Sequence, residues 1–281
     1  MTDIKNTEPW YRSLENKAIS ASKVKAFRKS RAYYHSRYVL GVTPDDPTPS
    51  MLLGSMVDIA WSAGDVGAIG KCFTSDKADP EGRIRVTPSV METATAIATQ
   101  LLADPSYAAM TTEGESHVQE PLYGTVKKRH GKQTLALEIC GLPDRHVVLR
   151  DATGAVTFID LYDLKTARAS DLDSDKNWYW KCVRMGYFEQ LAVYAALLQR
   201  RYKVKPHQIR ARHVVVGTTE DAGRYPCRLY KIPRTLYAGY FNKFMRTVVD
   251  ISLEREFIDP PAEWQTLHAP DDYGVPVDDE V

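Results

Sequence analysis

An α/β protein with a central mixed β-sheet flanked by helices is the fold class the sequence predicts, and three observations predict it. Helical stripes and strand-like alternations follow one another in the order helix, loop, helix, strands, helix, strand, helix. Two extended runs near the middle are joined by turn chemistry, which places a hairpin in the sheet. The 281 residues, 43% hydrophobic and 26% charged, suffice to bury a sizeable core.

Taken in order, Ser20 or Ser22 is a candidate N-cap for a first helix, in which Val24, Phe27, Tyr34 and Tyr38 fall near one stripe. Seven cations and no acid lie between Lys17 and Arg37. They are suited to gripping phosphates, or equally to solvating a helix whose aromatics merely pack on the core. From Cys72 to Arg85 the chain is rich in Asp, Lys, Pro and Gly and reads as a loop near the entrance of a site. Thr87-Pro88 resembles an N-cap and N1 pair, and Val90, Ala94, Ile97 and Leu101 continue a buried helical stripe.

Leu135 to Arg150 reads as extended chain, Asp151-Ala152-Thr153-Gly154 as a turn, and Thr157 to Lys165 as a second strand. Side chains alternate with period two, so Ile159, Leu161, Asp163 and Lys165 share a face. A turn centred between Ala152 and Thr153 sets Asp144 opposite Leu161, one same-face step from Asp163 and its diagonal neighbour. Pro143 cannot donate to the ladder and should bend or bulge the strand there. Carboxylates so close repel each other, and such pairs mark a shared proton or a divalent metal. Oxygen ligands favour Mg²⁺, with Mn²⁺ as a substitute. Lys165 is then suited to orienting or deprotonating a water, or to neutralising charge on a phosphate oxygen. The alternative is an ordinary strand end, since D-x-K triplets are frequent by chance.

Further on, Trp178, Tyr179, Trp180, Lys181, Arg184 and Tyr187 interleave aromatics with cations, a composition suited to stacking bases and holding phosphates, although tryptophan is more often core. Tyr187, Leu191, Ala195, Leu198 and Tyr202 define the apolar face of the next helix, with Gln190 and Tyr194 an i, i+4 pair to one side. Strands over 209–216 and 228–232 and an amphipathic helix over 236–252 complete the sheet and its cover.

Cys72, Cys140, Cys182 and Cys227 form no C-x-x-C pair, which argues against a zinc site or clustered bridges and for a reducing compartment. With no signal peptide and no apolar run of membrane-spanning length, the reading is cytoplasmic, without membrane contact. The formal net charge of +1 does not announce a polyanion binder, so such binding rests on charge segregation. The organisation expected is one domain over 1–265 and an acidic, solvating tail over 266–281.

Several segments in order resemble the PD-(D/E)xK nuclease superfamily, and within it the RecE-type and RecB-type (exonuclease VIII-like) exonucleases often carried by phages. They are Ser20-Ala21-Ser22 with its basic helix, Gly54-Ser55-Met56-Val57-Asp58, Glu120, Cys140-Gly141-Leu142-Pro143-Asp144-Arg145, Asp163-Leu164-Lys165-Thr166 and Gln190-Leu191-Ala192-Val193-Tyr194. The resemblance covers about Ser20 to Tyr194 and implies a restriction-endonuclease-like core. It implies a metal site of Asp144, Asp163 and the Leu164 carbonyl, helped by Asp58 and Glu120. Catalysis falls to Asp144, Asp163, Lys165, Glu120 and Gln190, and substrate contact to Ser20, Ser22, Tyr194, Trp180 and Arg184. Glu120 is expected on the strand before the hairpin, with Glu115 as competitor. The family usually ends its Gly-x-x-x segment with a histidine, where this chain has Asp58, so metal affinity or preference should differ.

The activity implied is a Mg²⁺-dependent 5′ to 3′ exonuclease on double-stranded DNA ends. It would serve recombination or repair beside a single-strand annealing protein, as a possible ring-shaped homo-oligomer. A structure-specific or single-strand nuclease, and a non-catalytic DNA-end-binding module with a decayed metal site, are the alternatives.

Overall fold

The computed structural model describes residues 18–43, 47–76 and 81–254; Lys17 and the expected acidic tail lie outside them. Ser20 opens the first helix. Its backbone is extended and its hydroxyl accepts from the Lys23 N–H, so α1 runs Ala21–Lys29, and Ser22 is an exposed residue within it. A short α2 (Arg31–Tyr34) runs on into a π-helical turn, His35–Val39. Thr48 caps α3 (Pro49–Ala63), with proline at the first turn where no N–H is needed.

Where a loop was expected over 72–85, two short parallel strands pair, β1 (Phe73–Thr74) with β2 (Ile84–Arg85). α4 (Pro88–Ala103), capped by Thr87, buries Ala94, Ile97, Ala98 and Leu101 as the periodicity requires. Then follow α5 (Pro105–Thr112), β3 (Glu115–Val118), β4 (Leu122–His130), β5 (Gln133–Gly141), β6 (Arg145–Arg150), β7 (Val156–Ala167), α6 (Ala169–Leu172), α7 (Asp175–Met185), α8 (Tyr187–Tyr202), β8 (Ile209–Gly217), β9 (Cys227–Lys231) and α9 (Thr235–Leu253).

The central sheet has the order β3-β6-β7-β8-β9 and is mixed: β7 and β8 are parallel, the other neighbours antiparallel. The parallel pair is what obliges the chain to cross over between them through α6, α7 and α8. β4 and β5 form a separate two-stranded sheet. The expected single run over 135–150 is therefore two strands in two sheets, parted at Leu142-Pro143-Asp144, because proline leaves no donor with which to continue the ladder.

The hairpin register also differs from expectation. Arg145 lies opposite Tyr162, so Asp144 is level with Asp163 rather than diagonal to it: a turn centred on Thr153 contributes one residue of the shift and an irregularity at Leu149/Arg150 the other.

Alternate residues of the sheet feed two cores. Ile159, Leu161, Ile209, Ala211 and Val215 pack on α1, α8, α9 and the β4–β5 hairpin. Tyr162, Leu164, Val214 and Val216 pack on α3 and α4. At roughly 1.5–3 kcal/mol for each large apolar side chain fully removed from water, these layers dominate the fold's stabilisation. They also fix which face Asp163 and Lys165 occupy. It is the α8 face, as the alternation requires.

Candidate active site

The acid cluster forms where β6 ends and β7 continues. Beyond Tyr162 the β6 side of β7 has no strand partner, and the Leu164 N–H instead donates to Asp144 Oδ2 at 2.6 Å. The N–H and C=O of one strand residue point to the same side, so the Leu164 carbonyl faces this edge too. Asp163 is fully buried, with Lys165 Nζ 2.6 Å from its Oδ2. Asp58 approaches from α3, accepting from Gln119 Nε2 at 2.7 Å and from the Ser62 hydroxyl at 3.3 Å.

Two close contacts bring α3 in. A Cβ on Gly54 would lie 3.3 Å from Thr166 Oγ1, so the helix can approach β7 because glycine stands there. Arg145, 3% exposed, donates to the Trp61 carbonyl and to Ser116 Oγ, both at 3.1 Å, and its guanidinium lies over the Trp61 ring. It thereby ties α3 to β6 and β3.

The electrostatics are those of too many carboxylates in too little water. Burial, then Asp58 and Asp163, push Asp144 well above the usual carboxylate range. Burial likewise raises Asp163, against the pull of Lys165. Asp58 is raised to about 6 by burial, which outweighs Lys165 and its two hydrogen bonds. Burial alone would lower the Lys165 ammonium; Asp163 and Asp144 outweigh it and hold the group charged above the ordinary lysine range.

Asp163 Oδ1 is buried with no hydrogen-bond partner among the described residues. An orphaned carboxylate oxygen, two further acids and a strand carbonyl at one edge fit a divalent cation of the oxygen-preferring kind.

Behind Asp163 stands His213, opposite it on β8. The ring is fully buried, with Nε2 3.6 Å from Asp163 Oδ2 and Nδ1 3.7 Å from Cys182 Sγ. Burial and then Lys165 lower its pKa to about 3, so it is a neutral neighbour. Sequence reasoning did not find His213 or Gln119, and it gave Arg145, which stands in one of the resembling segments, no role. A histidine alternating with Ile209, Ala211 and Val215 on an otherwise apolar strand face was the available signal for the first. Gln119 has φ +45°, and no sequence signal marks that turn.

Glu120 lies elsewhere than expected. It is past the end of β3, on no strand, and its carboxylate is held by Arg201 and by His117 Nδ1 at 2.7 Å. The chain turns at Gln119, so the Gln119 side chain, not Glu120, bonds Asp58. His117, Glu120 and His146 each offer a ligand atom, all within 4.8 Å of one another, a second grouping that could hold a metal ion. Glu115, the competitor, is exposed on β3 and pairs with Arg150.

Gln190 Nε2 donates to the Tyr194 hydroxyl at 2.7 Å. The Tyr194 ring lies against Gly141, where a Cβ would sit 2.6 Å from two ring carbons, so only glycine fits. Trp178 is core, 2% exposed and stacked on Tyr230, whereas Trp180 is 56% exposed and Arg184 is exposed beside it on α7. Ser20 serves as the helix cap. Lys165 of β7 and Lys181 of α7 both lie close enough to Lys25 of α1 for their charges to act on it, and burial, then Lys29, Lys165 and Lys181, lower its pKa.

A mixed five-stranded sheet with helices on both faces, and acids and a lysine gathered where its central hairpin opens, defines a class of metal-dependent phosphodiester hydrolases. The chain belongs to the PD-(D/E)XK nuclease superfamily, whose family model matches residues 18–235. The fold is thus the restriction-endonuclease-like one, and the protein is a nuclease of a superfamily that uses divalent metals.

Among solved structures it is similar to a Eubacterium rectale protein described provisionally as an exonuclease. The TM-score is 0.56 and the identity 15%, over 96% of this chain and 99% of that one, a likeness of fold alone. SSO0001 is a looser match, with a TM-score of 0.35 and 12% identity over 90% of this chain and 88% of that one. No curated protein sequence matches the chain. Among the described residues no helix is long and apolar enough to cross a membrane.

Proposed function

We propose that the protein is a Mg²⁺-dependent exodeoxyribonuclease that hydrolyses phosphodiesters at double-stranded DNA ends, 5′ to 3′, in recombination or repair. The observation that carries the reading is the meeting of Asp144, Asp163, Asp58 and the Leu164 backbone at one strand edge, with a single ammonium, Lys165, among them. When bound there, Mg²⁺ supplies acidification of water and polarisation of the scissile phosphate.

The chain's own groups supply the rest. Asp144 and Asp163 are held by the Leu164 N–H and by Lys165, so their free oxygens are presented in fixed directions. Lys165 is charged, which suits it to orienting the attacking water and to neutralising charge that develops on a phosphate oxygen, rather than to taking a proton. His213 and the rings around it keep bulk water from the buried side of Asp163. Gln119 and Ser62 orient Asp58, and Gln190 holds the Tyr194 hydroxyl for substrate positioning.

Lys25, Lys181, Arg184 and Trp180 form the approach, where amines meet phosphates and the indole meets bases. The superfamily resemblance extends the reading to an annealing-protein partner and a homo-oligomer.

The test uses linear duplex labelled separately at its 5′ and 3′ ends, with Mg²⁺ or EDTA, beside Asp163→Ala and a closed circle. Loss of the 5′ label first, only with Mg²⁺, only from linear DNA and only with the unsubstituted chain, is expected. Cleavage of the circle would favour the structure-specific reading. Binding without cleavage in Mg²⁺ and Mn²⁺ would favour an end-binding module, for which Asp58 in the histidine position is the motive.

A further inference from the structure

We propose a second nucleic-acid contact, resting on the nuclease reading: a basic groove on the uncovered corner of the sheet that takes the phosphates of a single strand. The cover formed by α3 and α4 spans Tyr162, Leu164, Val214 and Val216, and below them the same sheet face is open. Phe158 and Asp160 of β7 lie there, with Arg210 opposite Asp160 on β8, Arg212 opposite Tyr162 at the edge of the cover, and Lys231 opposite Arg212 on β9. Phe158, Arg210, Arg212, Lys231 and Arg234 border a groove of about 460 Å³. Lys165 points from the other face of β7, so the groove is separate from the acid cluster.

Three features make this corner a built site rather than a scatter of surface charge. Asp160, 5% exposed, holds both guanidiniums: Arg210 through two hydrogen bonds of 2.5 and 2.7 Å, and Arg212 at 2.9 Å. One carboxylate thus aligns two arginines side by side while offsetting one of them. Lys231 and Arg234 are exposed at the rim, which leaves four cations against one acid in a chain of net charge +1.

Phe158 is 38% exposed on the same face, and Arg210 lies 4.6 Å over its ring. Aligned cations beside an open aromatic on a sheet face suit an unpaired strand, whose phosphates are within reach and whose bases have free faces. A strand separated from its complement is what an exonuclease leaves behind, and this groove would hold it clear of the acid cluster.

The experiment uses the full chain carrying Asp163→Asn, in EDTA, and a fluorescein-labelled 20-nucleotide single strand titrated at several salt concentrations. Adding Lys231→Ala and Arg234→Ala should weaken binding about tenfold and make the slope of log K against log salt shallower by about 1.4, two phosphate contacts at about 0.7 each. Phe158→Ala should weaken binding without changing the slope. The same two rim substitutions in the otherwise unaltered chain should leave hydrolysis of a dinucleotide-length substrate unchanged, since both residues are remote from the acids.

Unchanged affinity and slope in the double variant would overturn the groove. Displacement of the strand by inorganic tripolyphosphate at equal phosphate concentration would also overturn it, by marking a general anion site. Failure of the nuclease reading is distinguishable: the unsubstituted chain would then cut nothing with any metal, whatever the groove binds.

Discussion

Replacing Asp58 with asparagine should stabilise the metal-free protein at neutral pH, contrary to the usual effect of removing a hydrogen-bonded side chain. Burial lifts this carboxyl from the ordinary 3.8 to about 6, despite Lys165, Ser62 and Gln119. At about 1.36 kcal/mol per pH unit, that rise costs the folded state about 3 kcal/mol once the group is ionised, and about 2 kcal/mol after allowance for its partial exposure. The folded state binds this proton more tightly than the unfolded chain does. Stability therefore falls as pH rises from 3.8 to 6, and the cost is complete above 6.

Urea unfolding in EDTA at pH 7.5 should show Asp58→Asn more stable by about 2 kcal/mol, and the gap should close below pH 4. Adding Mg²⁺ or Mn²⁺ should shrink it, because a cation stabilises the three-acid form by mass action. An asparagine variant less stable than the parent at pH 7.5 in EDTA would refute the reasoning. It would mean that the bonds from Gln119 and Ser62 outweigh burial.

Four further outcomes can be checked. Lys165→Ala should lower cleavage by about 10²–10³-fold, as loss of one preorganised charge does elsewhere, while duplex binding in EDTA measured by anisotropy persists. Gly141→Ala forces a methyl into the Tyr194 ring and should cost about 1–3 kcal/mol in denaturant unfolding, with cleavage reduced as Tyr194 and Gln190 shift. Trp178→Ala should cost about 3–5 kcal/mol because the indole is core. Exposed Trp180→Ala should leave stability within about 0.5 kcal/mol and weaken DNA binding, so unchanged binding and cleavage would remove Trp180 from the approach.

What could be read from the sequence was whatever a local period encodes. Ile159, Leu161, Asp163 and Lys165 do share a face, and Thr87-Pro88 does open a helix, because a two-residue or 3.6-residue repeat carries that information by itself. Pro143 announced a bend between β5 and β6, but not that the hydrogen-bond partner changes there and the two strands join different sheets. The register slipped by one residue at the turn, centred on Thr153, and by one more at the irregularity at Leu149, which no residue type announces. Glu120 was expected among the aspartates, but its surroundings come from β3, β6 and α8, three segments whose juxtaposition only the fold supplies. The groove on β7, β8 and β9 was equally out of reach, since its cations are charge-segregated in space and not along the chain.

The fastening of α1 has a consequence for how the protein comes into being. Ile19 bridges to Ile139, and Arg28 donates to Glu189, to the Lys243 carbonyl and to Thr247, a residue 219 positions later. The basic helix is thus made early and seated late. At synthesis rates of about 5–20 residues per second, the last of its anchors emerges roughly 10–45 s after Arg28 does. During that interval a growing chain can gather Asp144, Asp163 and Lys165 but has not yet secured Lys25 beside them, so full assembly of the approach waits on α9.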